Sequence, residues 1–163
     1  MKRQEQMKKI LSKYDQCFNP MRDIAKSYLE PVSLLIARIY IAKIFFMSGY
    51  GKLMDTLNGD FASVVYLFTE IHPVPFLPPE LAAFMGMGGE VVFGALLAFG
   101  LLGRVSAFAL LVMALVIQYA VPAQYGIAND DHYFWMLLLF VIVSFGPGKL
   151  SGDHFLLKYI RTA

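Results

Sequence analysis

One carboxylate, Glu90, lies in GMGGEVVFGALLAFG (86–100), and three basic residues, Arg38, Lys43 and Lys52, lie in VSLLIARIYIAKIFFMSGYGKLM (32–54). Both stretches are otherwise apolar. At the centre of a bilayer each such charge costs about 2.5 kcal/mol or more. An acid and a base at similar depth on adjacent helices remove much of that cost by pairing, although pairing seldom adds net stability. A polar site of this kind has two uses. It fixes helix register as a structural ion pair, or it handles protons or holds a ligand inside the membrane, where ionisable residues are usually functional.

Counting along the two stretches sets Lys43 and Glu90 near the midplane, Arg38 nearer the cytoplasm and Lys52 near the outer surface. At 100° per residue, Arg38, Phe45, Gly49 and Lys52 share one stripe of the helix, and Lys43 points away from it. Glu90 is therefore expected to pair with one basic side chain, and the pattern leaves open which. Lys43 is left to face a partner protein, a water-filled pocket or, by snorkelling, the lipid headgroups.

The elements that position these charges are membrane spans. The chain has 163 residues, of which 58% are hydrophobic and 16% charged, well below the quarter that soluble domains carry. Its mean hydropathy is +0.57. Four segments read as spans: 32–54, 81–102, 104–121 and a slightly short 132–146. Gly100 and Gly103-Arg104 divide the second from the third, and Gly146-Pro147-Gly148 ends the fourth. The expected fold is all-α, a four-helix membrane bundle. Residues 1–31 form a basic N-terminal segment, 32–155 the membrane domain and 156–163 a tail. Asn19-Pro20 reads as the start of a short amphipathic helix, 20–30, lying on the membrane surface, with a solvated tail as the alternative. In the 55–80 loop, FASVVYLFTEI (61–71) reads as a short helix touching the membrane. The prolines of HPVPFLPPE then forbid helix.

Charge distribution orients the bundle. Lys2, Arg3, Lys8, Lys9, Lys13, Arg22 and Lys26 precede the first span, Arg104 stands in the turn between spans two and three, and Lys149, Lys158 and Arg161 follow the fourth. Loops 55–80 and 122–131 hold no Lys or Arg but contain Asp55, Asp60, Glu70, Glu80, Asp130 and Asp131. Both termini are then expected in the cytoplasm, with Arg104 as an orientation signal and snorkelling anchor. No apolar signal-peptide core follows the basic N-terminus, so span one is expected to direct its own insertion.

Other chemistry is sparse. Cys17 is the sole cysteine, which excludes an internal disulfide or a CxxC redox pair. His72 with Glu70, and His132 with Asp130 and Asp131, are candidate ligands for a divalent metal if the two outer loops meet. Asp130-Asp131-His132 equally suits a hydrated cap on span four. The histidines are not paired at mid-membrane, as a buried bis-histidine haem would need. Phosphate loops, dinucleotide or flavin fingerprints and nucleophile elbows are missing. The basic N-terminus suits topology and anionic lipid, not nucleic acid.

ARIYIAKIFFMSGYGKL (37–53), the mid-helix Glu90, LLGR (101–104) and FGPGKLSGD (145–153) together resemble the DoxX family of small four-helix bacterial inner-membrane proteins. The resemblance spans residues 32–155 and rests on Arg38, Gly49, Lys52, Glu90, Gly103, Arg104, Gly146, Pro147, Gly148, Ser151 and Asp153. Gly152 departs from it, standing where leucine is common, and Lys43 is an extra charge. The resemblance implies a membrane subunit associated with redox systems, including quinone-coupled ones. The function expected on this basis is an inner-membrane accessory subunit of a quinone-linked redox complex, with a protein partner and Arg38, Lys43, Lys52 and Glu90 as its polar site. A non-enzymatic interaction protein working through residues 1–30 and Cys17, and a small oligomeric transporter, are the alternatives.

Overall fold

The structure is a computed structural model and describes residues 2–121, 125–126 and 129–162. Among these it is all-helical. α1 (Lys2–Ile24) runs through a π-helical turn (Ala25–Leu29) into α2 (Glu30–Leu57). α3 (Phe61–Tyr66) continues as a π-helical turn over Leu67–Ile71. α4 (Pro79–Phe99) and α5 (Gly103–Leu115) follow, and α5 extends as a π-helix over Val116–Ala120. α6 (Asp130–Phe145) and α7 (Gly152–Thr162) complete the chain.

Among the described residues, three helices are long and apolar enough to cross a membrane: the α1–α2 helix, α4, and α5 with its extension to Ala120. α6, with 16 residues, packs beside them. The core draws on all four: Ile41, Ala42 and Phe45 of α2, Leu97 of α4, Ala107, Leu110 and Ala114 of α5, and Leu139 and Ile142 of α6. The other face of each helix is apolar and exposed, as with Ile36, Phe84, Phe108 and Phe140, which is the arrangement of a bundle solvated by lipid. α2 and α4 run antiparallel and close together. A Cβ on Gly94 would lie 3.0 Å from the backbone nitrogen of Phe46, and one on Gly49 would lie 2.6 Å from Glu90 Cβ. Small residues at these positions let the backbones meet.

Three local outcomes matter for the site. The helix expected over 61–71 forms, with Asp60 as its N-cap accepting from the Ser63 N–H. The Asn19-Pro20 start does not form. α1 begins at Lys2 and passes through Pro20; the hydrogen bond that proline removes is lost in an exposed stretch, where water satisfies the carbonyl. The tail expected over 156–163 is the greater part of α7. The expected 122–131 loop lies partly outside the described residues.

Candidate functional site

The charged residues assemble at two levels of the bundle, and the α2–α4 register decides which meets which. Gly49 lies against Glu90, Phe46 against Gly94, and Arg38 against Gly100. This register is offset by roughly one and a half turns from the one expected by counting from the span ends. Glu90 therefore faces Gly49, not Lys43. Side chains on a helix lean toward its N-terminus, so Lys52 reaches back toward the level of Gly49. Its Nζ donates to Glu90 Oε1 at 2.8 Å and Oε2 at 2.6 Å, and to Ser48 Oγ at 2.9 Å. The pair is well covered, with side chains 15% and 7% exposed. All three ammonium N–H groups are thereby matched to acceptors.

One turn further along α2, Thr56 Oγ1 donates to Lys52 O at 2.9 Å and lies 3.4 Å from Met87 Sδ on α4. Beyond it the short α3 segment folds over. The Phe68 ring stands where a Cβ on Gly86 would be, 2.6 Å away, and its centroid is 6.3 Å from the His72 ring. His72 is half-buried. Burial first, then the positive charge of Lys52, hold its imidazole below the ordinary 6.5.

Arg38 belongs to a different assembly. It is 2% exposed and donates from Nη1 to Pro147 O and from Nη2 to Leu150 O, both at 2.8 Å. Gly100, at φ +69°, permits this: a Cβ there would lie 2.4 Å from Arg38 Nη1. Gly100 N–H bonds Leu97 O and Leu101 N–H bonds Leu96 O, the double bond of a Schellman turn. Asp153 arrives from the start of α7 and accepts from the N–H groups of Leu102 and Gly103, both at 2.8 Å. It thus caps α5, whose preceding residue Leu102 has no capping side chain of its own. Ser151 Oγ donates to Gly148 O and accepts from the His154 N–H. Arg104 donates to Ser144 O at the C-terminus of α6, where its charge also suits the helix dipole. Gly146, Pro147 and Gly148 supply the turn: Gly146 and Gly148 have φ +86° and +84°, and Pro147 fills the space a Cβ on Gly103 would need.

The remaining expected residues separate. Lys43 is exposed on the outward face of α2 and meets neither Glu90 nor the Arg38 assembly. His132 is buried, packs against Trp135 with ring centroids 4.8 Å apart and planes tilted by 55°, and bonds Gln118 Oε1 through Nδ1 at 2.8 Å. Asp130 and Asp131 are exposed in the first turn of α6, and Asn129 is the N-cap. Among the described residues, groups of three His, Cys, Asp or Glu that could hold a metal do not form, and His72 and His132 approach closely enough for the charge of His132 to act on His72. Ser48 was not singled out from sequence, and Asp153 was named only for the family resemblance, not for its role. Ser48 had a legible signal, standing four residues before Lys52 and hence on its face. The capping role of Asp153 had none, because it acts on a helix fifty residues away.

The DoxX family model matches residues 33–123. An uncharacterized protein of Haemophilus influenzae is 34% identical over 140 residues, covering 80% of this chain and 87% of that one. No solved structure matches the chain.

Proposed function

The chain belongs to the DoxX family of membrane proteins, and from that premise we propose that it is an accessory subunit of a quinone-linked redox system in the bacterial inner membrane, with both termini cytoplasmic. The observation that carries this reading is the covered Lys52–Glu90 pair, an acid and a base set between two helices whose shared core cluster is apolar. A buried ion pair is a poor device for stability alone, and an intramembrane carboxylate is by default a working group.

The donors suit a carbonyl oxygen. A quinone, when bound, supplies two carbonyl oxygens that gain protons as the ring is reduced. As it stands, Lys52 has every N–H engaged by Glu90 and Ser48. Protonation of Glu90 weakens two of those bonds and releases the ammonium to a new acceptor. Glu90 thus couples acceptor binding to proton uptake, and Ser48 keeps Lys52 in place while the pair opens. His72, on the outer loop and close enough to Lys52 to feel its charge, is the group from which a proton reaches Glu90.

Mass spectrometry of small molecules retained by gently extracted protein tests the reading. Near-stoichiometric quinone in the wild type, lost in Glu90→Gln, is the expected result. Quinone in neither protein overturns it. Cys17 tests the orientation without engineering, being the sole cysteine and exposed. A membrane-impermeant maleimide is expected to label it in inverted vesicles and not in intact cells.

A second reading, a non-enzymatic interaction protein, has one observation of its own. Met7, Leu11, Tyr14, Phe18 and Met21 recur every three or four residues along α1 and are all exposed. Deletion of residues 1–30 would abolish co-purification of protein partners if α1 recruits them, and would leave it unchanged if α1 does not.

A further inference from the structure

At the end of the bundle that holds Arg38, a groove of about 700 Å³ opens between α7, the α5 start and the α6 end. Its lining is mostly apolar, with Val105, Phe145, Leu156 and Leu157 among the contributors. Two cations also line it, Arg104 and Lys149, and both are exposed. Each retains donors. Arg104 uses one N–H on Ser144 O at 3.3 Å, and Lys149 one on Lys26 O at 3.4 Å, out of five and three respectively. Of the two acids in the lining, Asp153 has both oxygens engaged in capping α5; Glu30 is the other.

α7, which forms one wall, is amphipathic. Phe155, Leu156, Tyr159 and Ile160 fall on one arc and His154, Lys158 and Arg161 on the other. Its apolar arc is exposed and none of its residues is buried. A helix of this kind lies in the interface plane of a membrane, apolar side down. The groove therefore opens where acyl chains meet headgroups, with hydrocarbon lining on one side and cations on the other.

We propose that this groove is a binding site for a phospholipid of net negative charge. Arg104 and Lys149 take the phosphodiester, and an acyl chain lies along the apolar lining. Arg104 presents a planar fork of donors suited to phosphate oxygens. Glu30 opposes the same headgroup, and its charge sets how strongly the groove selects.

The test is thermal unfolding of the full chain in neutral detergent, with phosphatidylglycerol, phosphatidylcholine or inorganic phosphate added, alongside native mass spectrometry to count retained lipid. One phosphatidylglycerol per chain and a stabilisation confined to that lipid are expected. Lys149→Gln, at an exposed position with one long hydrogen bond, should keep the fold and weaken phosphatidylglycerol binding about fivefold. Arg104→Gln should do the same or more. Glu30→Gln should tighten it, an effect that a purely structural role for Glu30 does not produce. Equal stabilisation by phosphatidylcholine would show an unselective lipid shell and overturn the proposal. So would inorganic phosphate matching the lipid, which would point to a soluble phosphate compound, or unchanged binding in Lys149→Gln.

Discussion

Two covered cations of α2, Arg38 and Lys52, lie about 21 Å apart along the helix and are held in opposite ways, Arg38 with its Nε left without a partner. Lys52 is held by side chains, Glu90 and Ser48. Arg38 is held by main-chain carbonyls of Pro147 and Leu150, and the neighbouring carboxylate, Asp153, is held in turn by main-chain N–H groups. A side-chain pair can open when one partner gains a proton. The carbonyls that grip Arg38 do not titrate, and the nearby Asp153 carboxylate acts on it through charge without bonding it. The Arg38 end is built to stay shut and the Lys52 end is built so that it can change. The family motifs at Arg38, Arg104, Gly146-Pro147-Gly148, Ser151 and Asp153 thus read as one latch that fastens the α4–α5 turn to the α6–α7 turn.

The largest effect is expected from Arg38→Met. It deprives two covered carbonyls of charged donors, each bond worth about 1.5–3 kcal/mol. Thermal unfolding in detergent should show a loss of about 3–6 kcal/mol, and no second substitution elsewhere should restore it, because the acceptors are backbone. Lys52→Met should cost about 3–5 kcal/mol by stranding a covered carboxylate. Adding Glu90→Leu should recover most of that loss, since replacing both members of a buried pair is often neutral. If the Arg38 loss proves rescuable and the Lys52 loss does not, the contrast between the two ends is wrong.

The contrast was only half visible in the sequence. Apolar runs, glycine breaks and charge asymmetry made the all-helical membrane fold legible, and helical angles set Arg38, Gly49 and Lys52 on one stripe with Lys43 off it, although Lys43 was still counted in the polar site. Depth was misjudged. Counting from span ends assumes that helices meet flush, whereas the glycines at 49, 94 and 100 let α2 and α4 pack in a register that sets Glu90 against Gly49. Ends of helices are soft in sequence; close backbone contacts are not, but their partners are invisible until the helices are placed. The latch was hidden for a related reason. Its bonds join residues about 50 and 110 positions apart, and half of the participants are carbonyls and amides that carry no sequence signature. Pro20 misled for the opposite reason: a local helix-start signal lost to the continuity of the helix on either side.

A smaller effect separates capping from gripping within the latch. Asp153→Asn keeps an acceptor for one of the two N–H groups at the start of α5 and removes the negative charge at its dipole. A cost of about 0.5–2 kcal/mol is expected, well short of Arg38→Met. Unfolding midpoints of the two variants, measured side by side, check the order. A loss from Asp153→Asn as large as that from Arg38→Met would make the carboxylate, not the carbonyl grip, the centre of the latch.

The smallest effect is a pH dependence confined to the other end. His72 is held below its ordinary 6.5 by burial and by Lys52, so the folded protein binds fewer protons at this position than the unfolded chain. Its contribution is then fully present above 6.5 and is lost as pH falls toward the lowered value. Unfolding midpoints should decline over that acidic window in the wild type, and His72→Gln should remove that part of the decline. Lys52→Met should shrink it as well, by taking away the larger of the two charges that act with burial, the other being His132, while Asp153→Asn, at the far end, should leave it intact. A decline undiminished by His72→Gln would mean that another group carries it, and His72 would lose its claim to be the protonatable neighbour of the Lys52–Glu90 pair.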